Sequence, residues 1–279
     1  MKKVAITGST GLVGSRIVEL LSPYFEFIPL TSERCDITNQ DQVHACLKDL
    51  RYDLFLHLAG YTNVDKAEQE PTVAMKLNRD ATGYLVEEVT SKKKPFIYIS
   101  TDFVFDGLQP PYTETSAPYA VSTYGQSKLE GEKKVGSHGM IVRIAYPYRA
   151  AFEQKKDIVR TLKFLMEQGK QLTMINDSLM VPTFIDDIAY SLHGLMDNYS
   201  PEIFHAVGAN ALSPFDLGVQ IARTFGLDER LVGQISFEGY FAGKATRPRY
   251  CDIRSTKALP YAMHTLEEGL TIIKKQLGL

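Results

Sequence analysis

The sequence predicts an α/β fold of the Rossmann type, a doubly wound parallel sheet followed by a smaller C-terminal lobe. Three observations predict it. Short apolar runs alternate with amphipathic helical patterns through the first half of the chain, which is typical of parallel strands joined by crossover helices. A glycine-rich turn separates the first apolar run from the first helical pattern. The pattern then changes after Tyr148, and 279 residues are enough for one α/β domain with a lobe grafted onto it.

Five strands and four helices are predicted in the first half. The third strand is nearly continuous in apolar residues, as expected where a parallel sheet is covered on both faces. Leu12, Ile17 and Leu21 recur at helical spacing, and Thr38 or Asn39 can cap the second helix through a side-chain oxygen. The strands are predicted at 4–7, 25–30, 54–58, 96–100 and 140–144. The helices are predicted at 11–21, 38–50, 72–89 and 121–135.

The second half is predicted to hold four helices and two short strands. Ser213 can cap the third of these helices. The helices are predicted at 157–168, 183–196, 213–225 and 266–277, and the strands at 172–175 and 203–207. We therefore expect a first domain at 1–148 and a substrate-binding lobe at 149–279. Short segments near 180–208 and 248–254 are expected to return to the first domain.

The amino-acid composition limits the kinds of protein and of partner that fit this chain. Hydrophobic residues make up 44% and charged residues 23%, as in an ordinary globular protein. The formal net charge of -2 gives no support for partners such as nucleic acid or an anionic membrane. No apolar run approaches the roughly 20 residues that span a bilayer. Cys35, Cys46 and Cys251 share no metal-ligand spacing, so we expect reduced thiols and a cytoplasmic protein.

The glycine-rich turn predicts a dinucleotide site. Gly8 permits the tight turn, Gly11 lets the backbone approach a pyrophosphate, and Gly14 allows the helix to pack closely on the strand. The first-turn amides and the helix dipole then face the phosphates. We therefore expect Thr10, Leu12 and Val13 to contact the cofactor as well. The alternative is a plain structural turn, but its place between the first strand and the first helix favours the dinucleotide.

The end of the second strand bears on the choice between NADPH and NADH. A carboxylate at this position would bind the ribose hydroxyls and repel a 2'-phosphate. The segment at 30–34 has hydroxyls and Arg34, which favours NADPH over NADH, whereas Glu33 argues the other way. Arg34 as an ordinary surface arginine is the alternative.

Tyr124 and Lys128 lie four residues apart on one predicted helix, so both can reach the same site. An ordinary tyrosine has a pKa of about 10, and a nearby cation favours its phenolate. Tyr124 can then donate a proton to a carbonyl oxygen or accept one in the reverse direction. Thr101 follows the fourth strand at the edge where such sheets bind ligands, and its hydroxyl can hold the carbonyl. A Tyr–Lys pair is often structural, but its combination with the glycine turn and Thr101 favours catalysis.

The sequence resembles the extended short-chain dehydrogenase/reductases and, among them, the dTDP-4-dehydrorhamnose reductase family. The resemblance implies hydride transfer from a nicotinamide to the keto group at carbon 4 of a nucleotide-linked deoxyhexose. The matching segments span almost the whole chain in family order. They are TGSTGLVG at 7–14, CDIT at 35–38, HLAGYTNVDKAE at 57–68, LNRDAT at 77–82, STDFVFDG at 100–107, YGQSKLEGE at 124–132, VPTFIDDIA at 181–189 and RPRYCDI at 247–253.

The resemblance also implies roles for single residues. Thr101, Tyr124 and Lys128 match the catalytic triad. The expected cofactor contacts outside the glycine turn are Asp36 and Ile37 at the adenine, Ala59, Tyr61 and Thr62 at the ribose and nicotinamide, and Asn78. The expected substrate contacts are Asn63, Asp65, Val104, Phe105, Tyr146 and Arg247, the last facing a diphosphate or base. Alternatives are a solvated helix start for Asp65, a core position for Phe105 and an exposed loop for Arg247.

Two departures from the family bear on the substrate. The family carries an Arg-Thr-Ser-Trp run near the sugar, whereas this chain has Arg143, Ile144, Ala145 and Tyr146 and no tryptophan. A glycine common between Asp177 and Pro182 is missing. The departures leave open a reductase or epimerase of another nucleotide sugar. A non-catalytic regulator resembling the regulatory subunit of methionine adenosyltransferase is a further alternative. The resemblance also suggests a homodimer, and we assign no metal site.

Overall fold

The protein is described by a computed structural model that covers residues 1–279. All of the strands and helices that the sequence predicts occur in the predicted order, together with several further elements. The strands are β1 (Lys2–Thr7), β2 (Phe25–Leu30), β3 (Leu54–His57), β4 (Phe96–Thr101), β5 (Met140–Ile144), β6 (Pro147–Tyr148), β7 (Leu172–Ile175), β8 (Thr183–Phe184), β9 (Ile203–His205) and β10 (Val232–Ile235). The helices are α1 (Leu12–Leu21), α2 (Gln40–Lys48), α3 (Val64–Gln69), α4 (Pro71–Met75), α5 (Ala81–Ser91), α6 (Thr123–Val135), α7 (Ile158–Glu167), α8 (Ile185–Asp197), α9 (Pro214–Phe225), α10 (Phe237–Phe241) and α11 (Leu266–Gln276).

Six parallel strands form the central sheet in the order β2-β1-β3-β4-β5-β9. Every residue of β3, β4 and β5 is buried, because helices cover both faces of the sheet. The chain moves outward from β1 to β2 and then crosses back to β3 on the other side of β1. Such a reversal opens a crevice at the carboxyl ends of the strands, which is where open α/β sheets bind ligands.

The two helical layers have separate cores. On one face, α1 packs against α8, with Ile17, Leu21 and Ile188 in a cluster of 20 buried residues. On the other face, α2 and α5 pack together over Phe55 and Tyr98, and α6 packs against α5 and β4. The fold class expected from the sequence is therefore confirmed.

The remaining elements form a smaller lobe. Parallel pairs join β7 to β10 and β6 to β8. Helices α7, α9 and α11 contribute to a third core of 15 buried residues around Tyr148 and Phe184. The chain also leaves this lobe, because β9 pairs with β5 and Ile253 bridges Tyr112. The division at residue 148 stays a prediction.

The structure differs from the single helix expected at 72–89. A π-helical turn (Lys76–Asp80) separates α4 from α5, and the amide of Ala81 donates to the carbonyl of Lys76, five residues back. The turn adds a residue to the helix and places the Asn78 side chain inward, where it makes three hydrogen bonds. These partners are distant in sequence, so helical periodicity alone does not reveal the turn.

Smaller differences occur at other boundaries. Helix α8 begins at Ile185 rather than 183, because Thr183 and Phe184 pair with β6. Strand β4 extends through Thr101. Helix α3, strands β6, β8 and β10 and helix α10 were not predicted. None of the helices combines the length and the apolar character needed to cross a bilayer.

Candidate active site

A cavity of about 510 Å³ opens at the carboxyl ends of the central strands. Residues from the glycine turn, from the end of β4 and from α6 share its wall. Ten of the residues expected to form the cofactor, catalytic or substrate site line it: Gly8, Gly11, Leu12, Val13, Gly14, Thr62, Thr101, Tyr124, Lys128 and Tyr146. The two segments predicted to hold cofactor and catalytic groups therefore meet at one place.

The glycine turn is shaped for close backbone approach. Gly8 has φ +72, and a Cβ there would lie 2.7 Å from the Ala59 nitrogen. A Cβ on Gly14 would collide with the Gly8 carbonyl. The amides of Leu12, Val13 and Gly14 donate to no backbone carbonyl, and the first turn of α1 has no acidic side chain. Free amides at a helix N-terminus suit an anion such as a phosphate. Thr10 is exposed beside this turn.

Helix α6 presents Tyr124 and Lys128 to the cavity. Ser122 caps the helix by accepting from the Gly125 amide, so Tyr124 lies in the first turn. The Lys128 ammonium donates to the Ile99 carbonyl at 2.7 Å and lies 3.9 Å from the centre of the Tyr98 ring. The Tyr124 ring meets Phe103 edge to face, with 5.6 Å between ring centres. Both side chains are therefore held in place by neighbours from β4 and the turn after it.

Burial controls the protonation of this pair. It raises the pKa of Tyr124 to about 12, with the Thr101 hydroxyl acting in the opposite direction. It lowers the pKa of Lys128 to about 7, and nearby Glu132 partly offsets this. Tyr124 is therefore protonated at neutral pH, which is the state that a proton donor needs.

The end of β4 contributes more polar groups than the sequence indicated. The Thr101 hydroxyl donates to the Asp102 carboxylate at 3.0 Å. The Ser100 hydroxyl and the second Asp102 oxygen are buried without a partner, and both residues line the cavity. Burial raises the pKa of Asp102 to about 7. The segment STDFVFDG marked this strand end, but only Thr101 was given a role from it.

Asn78 fixes the backbone beside Lys128. Its side-chain oxygen accepts from the Tyr61 amide at 2.7 Å, and its amide nitrogen donates to the Tyr61 carbonyl at 2.9 Å. The same nitrogen donates to the Ser127 hydroxyl at 2.8 Å. Ala59 donates its amide to Thr7, and the Tyr61 hydroxyl donates to Glu70. Asn78, Ala59 and Tyr61 therefore shape the cavity edge without lining it.

Three expected cofactor residues lie at the end of β2, outside the cavity wall. Arg34 is exposed and donates to the Pro29 carbonyl at 3.4 Å. Asp36 accepts from the amide and hydroxyl of Thr38, and these bonds lower its pKa. Ile37 is buried in the core beneath α2. Their roles at the adenosine end of a dinucleotide stay predictions.

The residues expected to contact the substrate do not all line the cavity. Val104 and Phe105 are buried, and the Phe105 ring stacks on Tyr112 with 4.4 Å between centres. Asn63 caps α3 by accepting from the Lys66 amide. Arg247 donates to the Asp65 carboxylate at 2.7 Å, which lowers the pKa of Asp65. The structure thus joins Asp65 to Arg247, but neither belongs to the cavity wall.

The segment that differs from the Arg-Thr-Ser-Trp run of the family lies at the cavity. Ile144 and Tyr146 line it, whereas Ala145 is buried behind them. Tyr146 has φ +38, a backbone region that residues other than glycine seldom adopt. Lys155 and Lys156 also line the cavity, although the sequence analysis gave them no role. The sequence feature that could have identified them is the pair of consecutive lysines just before Asp157, the residue that caps α7.

Comparisons with known proteins agree with this geometry. dTDP-4-dehydrorhamnose reductase of Sinorhizobium fredii is 32% identical over 222 residues, covering 76% of this chain and 74% of the relative. The crystal structure of dTDP-4-dehydrorhamnose reductase from Bacillus anthracis in complex with NADP superposes with a TM-score of 0.91. It is 27% identical, and 99% of each chain is covered. Methionine adenosyltransferase 2 subunit beta of Bos taurus is 30% identical, covering 81% of this chain and 73% of the relative.

The family profile described as RmlD substrate binding domain matches residues 1–271. The match extends from β1 into the first half of α11, so it includes the sheet, most of the smaller lobe and every residue of the cavity wall. The resemblance expected from the sequence is confirmed, and the chain belongs to the RmlD substrate binding domain family.

Proposed function

We propose that the protein is an NADPH-dependent oxidoreductase that reduces the 4-keto group of dTDP-4-dehydrorhamnose. One observation carries the proposal: Thr101, Tyr124 and Lys128 share a cavity with the glycine turn. The reductases of Sinorhizobium fredii and Bacillus anthracis, the second in complex with NADP, support the substrate and the cofactor.

The chain fits a dinucleotide at the glycine turn. The free amides of Leu12, Val13 and Gly14 would hold its pyrophosphate, and a side chain at Gly8 or Gly14 would collide with the backbone and distort the turn that presents them. Arg34 and Asp36 would hold the adenosine end, with Ile37 beneath it. When bound, the dinucleotide supplies the hydride. Arg34 also favours NADPH over NADH, because a guanidinium can pair with a 2'-phosphate.

Tyr124 supplies the proton to the ketone oxygen. Burial keeps its hydroxyl protonated at neutral pH until a carbonyl oxygen accepts from it. Lys128 lies one helical turn away on the same face of α6, so its ammonium stabilises the phenolate that forms. The Thr101 hydroxyl, which donates to Asp102 in the structure, redirects its proton to the carbonyl oxygen and holds it beside Tyr124. Together these groups stabilise charge where it develops during reduction.

The sugar would lie between the first domain (1–148) and the smaller lobe (149–279), because residues from both line the cavity. Thr62, Ile144 and Tyr146 would contact it from the wall, with Asn63, Val104 and Phe105 shaping the surrounding segments. The Asp65–Arg247 pair would face the diphosphate or base once Arg247 exchanges its partner. A homodimer and a cytoplasmic location stay predictions.

The test is oxidation of NADPH and NADH by the purified protein with dTDP-4-dehydrorhamnose. We expect turnover with NADPH at the higher rate, and a loss of about 100-fold or more in Tyr124→Phe with cofactor affinity unchanged. Tyr240→Phe is a matched control, because Tyr240 lies in α10 outside the cavity. Absence of turnover in wild-type protein that binds NADPH would refute the proposed substrate.

A second candidate is a regulatory subunit. The 30% identity to methionine adenosyltransferase 2 subunit beta, over 81% of the chain, favours it. A regulator acts through contacts with a partner, so Tyr124→Phe would leave its effect intact. Measurement of methionine adenosyltransferase activity with and without added protein distinguishes the two functions.

A further inference from the structure

The loop between β6 and α7 brings two lysines to the cavity. Lys155 and Lys156 line it together with Gly8, Gly11 and Leu12 of the glycine turn. Neither lysine forms an ion pair within the chain, and the one acidic residue between Arg149 and Lys155, Glu153, forms none either. Two uncompensated cations therefore share a cavity with free helix amides.

Arg160 holds this loop in shape. Its guanidinium donates to the carbonyls of Phe152 and Lys155 at 2.5 and 2.6 Å and to the Asp157 carboxylate at 2.7 Å. Asp157 in turn accepts from the Arg149 amide at 3.2 Å, which joins the two ends of the loop. The Lys155 carbonyl is fixed directly, so the lysine pair is positioned before any ligand binds.

Arg149 joins the loop to the glycine-turn helix. Its guanidinium donates to the Ser15 hydroxyl at 3.0 Å, to the Leu12 carbonyl at 3.4 Å and to Glu19 at 2.9 Å. The loop is therefore attached to the first turns of α1, where the free amides lie. The Lys156 ammonium lies 3.1 Å from the centre of the Phe164 ring and forms no ion pair, so it would exchange this aromatic contact for an anion in the cavity.

We propose that Lys155 and Lys156 bind a diphosphate group in the cavity. This inference rests on the proposed function, which brings two diphosphates to the site, one in the dinucleotide and one in the nucleotide sugar. The attachment of the loop to α1 favours the diphosphate of the dinucleotide. Lysine ammonium groups suit this ligand because each places a compact cation beside an anionic oxygen.

The experiment measures dissociation constants for the double variant Lys155→Gln/Lys156→Gln. NADPH and NADH are titrated by their fluorescence, and dTDP is titrated by calorimetry with NADPH saturating. The matched control is Lys48→Gln/Lys170→Gln, which removes the same charge from two exposed lysines outside the cavity. We expect the double variant to bind NADPH and NADH about tenfold more weakly, with a smaller dependence on salt, and the control to match wild type.

The affinities for the three ligands distinguish the possible outcomes. Weaker binding of both dinucleotides supports the diphosphate of the cofactor, and weaker binding of dTDP alone supports that of the substrate. Weaker binding of NADPH but not NADH would assign the lysines to the 2'-phosphate and overturn the proposal, as would affinities within twofold of wild type for every ligand. These titrations need no turnover, so the lysine site and the proposed reaction are tested separately. Thermal unfolding of the double variant checks that it is folded.

Discussion

At the scale of single residues, the candidate site holds two ionisable groups whose pKa values are shifted in opposite directions by burial. Asp102 has its pKa raised to about 7, and Lys128 has its pKa lowered to about 7. In each case desolvation disfavours the charged form. The free energy of unfolding therefore depends on pH through both groups, and each group changes it over a different range of pH.

Asp102→Asn tests the first group. The folded protein binds more protons at Asp102 than the unfolded chain between pH 3.8 and about 7, so stability falls as pH rises through this window. The asparagine variant lacks this fall. We expect its free energy of unfolding to exceed that of wild type above pH 7 by up to about 4 kcal/mol, and the difference to shrink towards pH 4. Urea denaturation across this range measures it, and a constant difference would contradict the assignment.

Lys128→Met tests the second group, with the opposite sign. The unfolded chain binds more protons at Lys128 between about pH 7 and 10.5, so the cost of burying the ammonium is complete below pH 7 and decreases as pH rises. The variant is therefore expected to gain most stability below pH 7, while its turnover falls about 100-fold or more. Lys170→Met is the control, and its difference from wild type should not vary with pH over this window.

At the scale of elements, function depends on where two helices begin. Helix α1 begins beside Gly8 with its first amides free, and α6 begins at the Ser122 cap just before Tyr124. Both starts are specified by short local sequence. Because each helix also packs against a sheet face, a small displacement of its first turn changes the cavity.

Gly14→Ala is expected to displace α1. The new Cβ would meet the Gly8 carbonyl, a backbone atom that cannot move aside as a flexible side chain can. We expect about tenfold or weaker NADPH binding and a loss of about 1–3 kcal/mol in stability, as in other overpacked sites. Gly83→Ala in α5 is the matched control, because its Cβ would meet only the flexible Lys134 side chain, at 3.3 Å. Equal affinity in both variants would refute this account of the turn.

At the scale of the whole molecule, the sequence predicted what short segments specify and missed what the path of the chain brings together. The glycine turn and the Tyr124–Lys128 spacing are local patterns, so two of the segments that line the cavity could be identified from the sequence, and their roles stay predictions. Lys155 reaches the cavity only because the loop after β6 is attached to α1. The Asp65–Arg247 pair joins residues 182 positions apart, so their mutual contact has no local signature.

A buried ion pair inside the first domain contacts β9, the strand that returns to this domain. Arg143 on β5 donates twice to Glu132 on α6, at 2.9 and 2.7 Å, and its guanidinium lies 3.3 Å from His205 on β9. Both charged side chains are nearly inaccessible to water, at 2% and 5% exposure. Burial and Arg143 lower the pKa of His205 to about 4, so this imidazole is neutral and adds no second cation.

Arg143→Met is expected to destabilise the protein by about 3–5 kcal/mol, because Glu132 is left buried and charged without its partner. Arg143→Met/Glu132→Gln removes both charges and is expected to be more stable than the single variant. Double-mutant analysis of urea denaturation measures this difference. The single variant is also expected to exchange amide hydrogens faster at β9, because His205 loses its side-chain contact with Arg143 while its backbone pairing with β5 remains. If the double variant were the less stable, the pair would stabilise the fold by its net attraction rather than by mutual neutralisation.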